Sequence, residues 1–372
     1  MLSRIAARLF WFGRYVERAD MTARLLIAGL SLPFEDPWHD REDASRLLAD
    51  ALGIAPPAGS AGADLVSLLV LDERHPASVT RVLSLARDAA RGLVGTLPSE
   101  AVDATNITAT AVADARSGAR DRPIDLLRGL LVHTAALGGF LDGGMPRDPA
   151  FGYLRLGQQL ERADMVARLL LSRLDDPDRP AVWACTLEAC AGLEAFTRGG
   201  DGSLGSLGRS AAVRFLTFSR AFPRAVLAAL VAALDALVLV HPTFGLLEWS
   251  GRSRTVPPNA AEVSLRTTID LLDAAALGSS DGPSSKEAGA ATVAPFDREE
   301  FAGLLQGVVR TSARVSDALS ATDFHLSGLL WRHDHVDPGS TSPGSTGPGS
   351  SDPGATIAGP WSEPLLLGTR QP

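Results

Sequence analysis

The sequence predicts an all-α fold: a helical bundle built from two pseudo-symmetric repeats, with no β-sheet of note. Three observations carry this. Alanine and leucine dominate, and apolar residues recur every three or four positions, the spacing of one helix face. Strand signals are nearly absent. One charged helical phrase is written twice, as ERADMTARLL at 17–26 and ERADMVARLL at 161–170, so that position 17 of one copy matches position 161 of the other.

Taken in order, the periodic segments place helices at 2–30, 40–52, 62–72, 77–95, 99–117, 122–141, 148–174, 180–197, 209–220, 223–240, 260–276 and 297–331. Pro76, Pro123 and Pro223 suit first helical turns, where a missing N–H costs nothing. Ser99, after Pro98, is placed to cap the helix it precedes. In the first helix, Ile5, Leu9, Phe12, Val16, Ala19, Ala23, Leu26 and Leu30 share one stripe at 100° per residue. Trp11, Met21 and Leu25 lie on the other side, which predicts a central helix packed on several faces.

The repeat runs past the doubled phrase. SLLVLDERHPASVTRVLSLARDAA in the first half matches RFLTFSRAFPRAVLAALVAALDAL in the second, with Pro76 against Pro223. Each unit has an apolar face to bury, and its twin is the natural cover. The expected layout is one helical domain over 1–335. Repeat one covers about 1–145 and repeat two about 146–335, with a flexible linker at about 278–295. A Gly/Ser/Pro-rich tail at 336–372 holds too little apolar content to fold. The segment 198–210 reads as a Gly/Ser loop.

Composition narrows the function. A net charge of −8 argues against a general nucleic-acid binder. Apolar residues at 45% are enough for a sizeable core. Lys286 is the only lysine, so arginine carries nearly all positive charge. Cys185 and Cys190 form no C-x-x-C and fit a reducing cytoplasm. Arg8 and Arg14 interrupt the first apolar run, which does not read as a signal peptide. The most apolar stretch, 225–240, is short for a membrane span. Neither nucleic acid nor membrane is an expected partner.

The doubled phrase holds the candidate site: Glu17, Arg18, Asp20 and Arg24 in one copy, Glu161, Arg162, Asp164 and Arg168 in the other. Adjacent Glu17 and Arg18 point about 100° apart and do not face each other. Asp20 reaches Arg24 at i, i+4, and Asp164 reaches Arg168 likewise. If the two helices pack about a two-fold, Glu17 is expected to face Arg168 and Glu161 to face Arg24. Two readings stay open. One is a buried ion-pair network that fixes register. The other is a polar pocket in which Glu17 and Glu161 act as acid–base groups beside arginine clamps. Arg14, Asp72 and His133 are secondary candidates. Asp72 is expected to end one helix or cap the next, and His133 to be a buried histidine. The positions three after the two glutamates are aspartates rather than the histidines of a di-metal bundle, so no metal and no cofactor is expected. His333 and His335 form a weak H-x-H. No nucleotide-binding, zinc-hydrolase or nucleophile-elbow motif occurs.

The opening LSRIAARLFWFGRYVERADMTARLL resembles the alpha-E proteins, a bacterial group with a helical domain and an ER motif. Trp11, Gly13, Arg14, Tyr15, Glu17, Arg18, Ala19, Ala23 and Arg24 match that motif, and Asp20 stands where glutamate is common. The resemblance continues through LDERHPASVTRVLSLARDAAR, LGQQLERADMVARLL and FLTFSRAFPRAVLAAL, covers most of 1–240, and weakens beyond. It implies a place beside an ATP-grasp-type ligase, with a transglutaminase-like protein as a further neighbour. The chain has no ATP-grasp signature of its own. The resulting expectation is a cytoplasmic, non-catalytic accessory or scaffold protein acting with such a ligase in forming or modifying a peptide or amide bond. The alternative is an enzyme or ligand-binding protein that uses the Glu/Arg pocket.

Overall fold

The computed structural model describes residues 3–35, 51–52, 67–114, 123–199, 207–241, 259–278 and 296–324. They form α1 (Ser3–Glu35), a π-helical turn (Ser67–Leu71), α2 (Val79–Arg91), α3 (Ser99–Asp114), α4 (Pro123–Gly144), α5 (Pro149–Arg173), α6 (Pro180–Ala189), α7 (Leu193–Gly199), α8 (Arg209–Phe218), α9 (Val226–Val240), α10 (Ala260–Gly278) and α11 (Arg298–Thr322). Among the described residues the one β feature is an isolated bridge between Val94 and Leu97, closed by Gly95 at φ 84°. The all-α expectation is met. The expected helix 40–52 lies outside the described residues except for Ala51 and Leu52. So do the linker at 279–295, the tail, His333 and His335.

α1 and α5 are the axis. α1 packs on α5 and is flanked by α2, α4 and α6; α5 is flanked by α9 and α11. α3 covers α2 and α4, while α10 lies against α9 and α11. The sequence explains this placement. Leu9, Phe12, Ala19, Ala23 and Leu26 on one side of α1, and Met21 and Leu25 on the other, are all buried. A helix apolar all round must be covered all round.

Several helix ends differ from expectation for identifiable reasons. α2 starts three residues after Pro76 because Ser78 is extended and its hydroxyl accepts from the Arg81 N–H at 3.1 Å. α9 likewise starts after Pro223, with extended Ala225 as its cap residue. Ser99 is not the cap: the Pro98 carbonyl already accepts from Ala101 and Val102, and the Ser99 hydroxyl turns to Glu100. The expected helix 180–197 is two helices. The Gly192 N–H bonds the Leu187 carbonyl and the Ala191 N–H that of Glu188, a Schellman end with Ala191 at φ 52°. A Cβ on Gly192 would stand 3.2 Å from the Phe222 ring, so a larger residue at this turn requires that ring to give way.

Of the apolar segments, α9 has 15 residues and is largely buried. Among the described residues α4, with 22, is long and apolar enough to cross a membrane by length and composition alone. It packs on α1 and α3 and leaves Val132 and Phe140 exposed on its outer side.

α1 and α5 approach at two glycines. A Cβ on Gly13 would overlap the Leu154 carbonyl oxygen, and one on Gly157 would overlap the Phe10 carbonyl oxygen. Both obstacles are backbone, so neither can rotate away. Gly13→Ala and Gly157→Ala are each expected to force the helices apart and destabilise by about 1–3 kcal/mol or more. Gly303→Ala, at a helical position with open space around it, is expected to be neutral or slightly stabilising. Urea denaturation of the three variants checks this.

Candidate functional site

The close backbone approach brings the two copies of the doubled phrase together. Glu161, fully buried on α5, accepts from Arg14 Nε at 2.7 Å and from Arg18 Nε, both on α1. Glu17, 2% exposed on α1, accepts from Arg162 of α5 in a two-pronged bond, Nε to Oε1 and Nη2 to Oε2, each 2.7 Å. Gln158 Nε2 adds a bond to Glu17 at 3.3 Å. Paired positions rise together along both helices, so α1 and α5 run parallel and in register. The pairing is reciprocal: each copy's glutamate takes the other copy's arginine.

This corrects the expected pairing of Glu17 with Arg168 and Glu161 with Arg24. Those arginines instead serve their own helices at i, i+4, Arg24 Nε to Asp20 at 2.8 Å and Arg168 Nε to Asp164 at 2.9 Å. Helices parallel and in register set each glutamate against the residue next to its twin, six positions before the expected partner. The i, i+4 pairs stand as expected.

Partners from outside the phrase complete the cluster. Arg224, in the turn between α8 and α9, bridges Glu17 (3.2 Å) and Asp20 (2.6 Å) and donates to Met21 Sδ at 3.1 Å. Thr134 of α4 donates to Asp20 at 2.9 Å. Arg14 also donates to Ser316 of α11 at 2.8 Å and lies 5.5 Å from the Trp11 ring centroid. Sequence reasoning missed Gln158, Arg224, Thr134 and Ser316. No local spacing signals contacts across 100 to 300 positions. The only hint was the alignment of Pro76 with Pro223, and the residue after Pro76 is uncharged Ala77.

The electrostatics follow from this crowding. Burial pushes the Glu161 carboxyl up, but Arg18 and Arg14 outweigh it and hold the group below the usual carboxylate range. Asp20 behaves alike: burial raises it, and Arg224, Arg24 and Thr134 together bring it below its ordinary value. Burial raises Tyr15, beside Arg14 and Arg18, to about 12, and Cys190 to about 12, where the thiol is a poor nucleophile. A general base works best with a pKa near the working pH; Glu161 is held far on the ionised side, with a guanidinium on each oxygen.

The secondary candidates lie elsewhere. Asp72 sits in the turn before α2, where Oδ1 accepts from the Arg74 N–H at 2.8 Å and its carbonyl accepts from the Ser78 hydroxyl. It shapes the turn, and Ser78 does the capping. His133 is half-buried on α4, one residue before Thr134, and is not the fully buried side chain expected. Among the described residues no three His, Cys, Asp or Glu side chains group as metal ligands. A separate cluster closes the far side of α5. The Tyr153 hydroxyl donates to Asp323 at 2.6 Å, and His241 Nε2 lies 3.3 Å from the same carboxylate.

With this geometry in view, a family model called Alpha-E, described as a predicted alpha-helical domain with a conserved ER motif, matches residues 1–324. The chain is 25% identical to the uncharacterized protein Mb2597 of Mycobacterium bovis and 26% identical to the uncharacterized protein Rv2567 of Mycobacterium tuberculosis, each over 364 aligned positions. Those alignments cover 87% of this chain but 37% of each relative, so the chain spans little more than a third of the length of the curated relatives it matches. No solved structure matches the chain.

Two outcomes test the cluster. Glu161→Gln leaves Arg14 and Arg18 without their carboxylate and is expected to destabilise by about 3–5 kcal/mol, read as a lower denaturant midpoint. A Glu17→Gln/Glu161→Gln double variant that keeps its midpoint would sink the register reading and favour the pocket. The second test uses acid. Both Glu161 and Asp20 have lowered values when folded, so their stabilisation is complete above the ordinary values of 4.5 and 3.8 and is lost as pH falls through the depressed ones. These two groups are expected to add no pH dependence to the melting temperature between about pH 7 and pH 5, and a loss below about pH 4. In Glu161→Gln the acid loss should be shallower.

Proposed function

We propose that the chain, which belongs to the Alpha-E family, is a non-catalytic accessory or scaffold protein that acts with an ATP-grasp-type ligase in forming or modifying a peptide or amide bond. The observation that carries this reading is the state of the ER charges. Glu17 and Glu161 are buried and already bonded by guanidiniums. Such groups hold two helices in register and have little freedom to shuttle protons. A helical body whose two central glutamates are already paired with arginines suits a binding role. The relatives' greater length supports the same view, because there the matched region is one part of a larger polypeptide.

The duplicated-unit layout belongs to this proposal. The reciprocal glycine contacts and reciprocal glutamate–arginine pairs support two related units that cover each other's faces. A cytoplasmic setting is also part of it, supported by a cysteine content of two, Cys185 and Cys190, five positions apart on a buried helical stretch and in no C-x-x-C pattern. A transglutaminase-like protein would be a further partner.

The test is co-expression with an ATP-grasp-type ligase encoded beside this gene. The two are expected to co-elute on size exclusion, and ligase turnover should fall when this protein is omitted. A ligase that is fully active alone and never co-elutes would overturn the proposal.

A further inference from the structure

α4 carries two regularly spaced seams, and the fold uses one of them. Leu127, Leu130, Thr134, Leu137 and Leu141, in steps of three, four, three and four, are buried on the side that packs on α1 and α3. On the other side Gly129, Val132, Ala136, Gly139 and Gly143 repeat the same steps, and all of them are exposed. Alternating steps of three and four are the spacing of a contact between two helices. Phe140 stands beside this outer seam. Val132 is 68% exposed and Phe140 41%.

The glycines separate this face from an ordinary solvated one. At Gly129, Gly139 and Gly143 an added Cβ would meet nothing within 4 Å. Glycine weakens a helix interior relative to alanine, and no packing among the described residues requires it at these three positions. At Gly13 and Gly157 the missing Cβ admits the backbone of another helix. The outer seam of α4 offers the same kind of close approach, with no described helix of this chain seated in it.

We propose that this face is a self-association seam, in which α4 packs antiparallel against α4 of a second copy about a two-fold axis at Ala136. The occupant follows from the symmetry of the seam, because a two-fold contact must be self-complementary. Counted outward from Ala136, Val132 and Phe140 meet at four positions, Gly129 and Gly143 at seven, and Asp125 and Arg147 at eleven. Glycine faces glycine at either end, so the backbones can close up. The two large apolar side chains meet between the glycines and the axis. An acid meets a base beyond them. Asp125 is exposed and has no ion pair among the described residues, and Arg147, in the turn after α4, is 53% exposed with its own carboxylate, Asp142, at 3.8 Å. A parallel pair would set Asp125 against itself. About four turns of one helix make a small contact, at the low end for protein interfaces. The dimer is therefore weak, with Kd about 10–100 µM, and it does not depend on a ligase partner.

The test is sedimentation velocity on the full chain from about 1 to about 300 µM. A concentration-dependent shift from monomer to dimer is expected. Ala136→Glu brings two carboxylates together at the axis and should raise Kd by about tenfold or more, at unchanged melting temperature. Ala135→Glu, exposed on the same helix but turned about 100° away, should leave the dimer intact. Under mild oxidation Ala136→Cys should cross-link to itself faster than Ala135→Cys; Cys185 and Cys190 are buried and do not compete. A chain that stays monomeric throughout, a dimer indifferent to Ala136→Glu, equal loss with Ala135→Glu, or equal cross-linking at the two positions would overturn the proposal. So would a monomer that floats with phosphatidylcholine–phosphatidylglycerol vesicles, because the face would then meet a lipid surface.

Discussion

A fully buried glutamate between two arginines of another helix sets the terms for the rest of the molecule. Taking Glu161 out of water is costly, and Arg14 and Arg18 offset that cost only at hydrogen-bonding distance. That distance requires the α1 and α5 backbones to approach closely, which requires Gly13 and Gly157. The charge and the glycine are therefore one constraint. The close approach brings the charges within reach, and the charges fix which turn of one helix meets which turn of the other. Alanine- and leucine-rich faces pack almost equally well after a slide of one turn, about 5.4 Å. Such a slide here would strand a buried carboxylate.

The two sides of the pair are not equivalent, and the differences decide what else is tied to the axis. Position 14 is arginine, and the matching position 158 is glutamine. Glu161 therefore takes a second cation from α1, while Glu17 takes a neutral amide from α5. Its second cation comes from Arg224, outside the helix pair, which also holds Asp20. The turn between α8 and α9 is thereby anchored to α1, and Thr134 anchors α4 to the same aspartate. On the other side, Ser316 links α11 to Arg14. Polar contacts so reach α4, α9 and α11 from two adjacent turns of the central helices.

The fold was legible because its signals are local or repeated. Three- and four-residue spacing marked the helices, and the doubled phrase marked the two central ones. The i, i+4 pairs Asp20–Arg24 and Asp164–Arg168 needed only helix geometry. The cross-pairs were misplaced by one turn or more because sequence gives no axial offset between two helices; only the glycine contact sets it. Gly13 and Gly157 were visible as letters, yet a glycine in a helix does not announce what it touches. Arg224 was invisible for a stronger reason: its carboxylates lie more than 200 positions away. The break at Ala191 and the late starts of α2 and α9 are cap geometry, which competes with propensity at single residues.

The scarcity of lysine takes on a different weight in this setting. Across most of the surface, arginine instead of lysine needs no structural cause. At Arg162 and Arg224 the fork itself is used. Arg162 spans both oxygens of Glu17 from Nε and Nη2, and Arg224 reaches two different carboxylates from its two terminal nitrogens. An ammonium group is a point charge on a flexible stem. It could approach one of these oxygens but could not hold the planar, two-pronged bond that orients Glu17 against α5. The register of the helix pair thus depends on guanidinium shape as well as on charge.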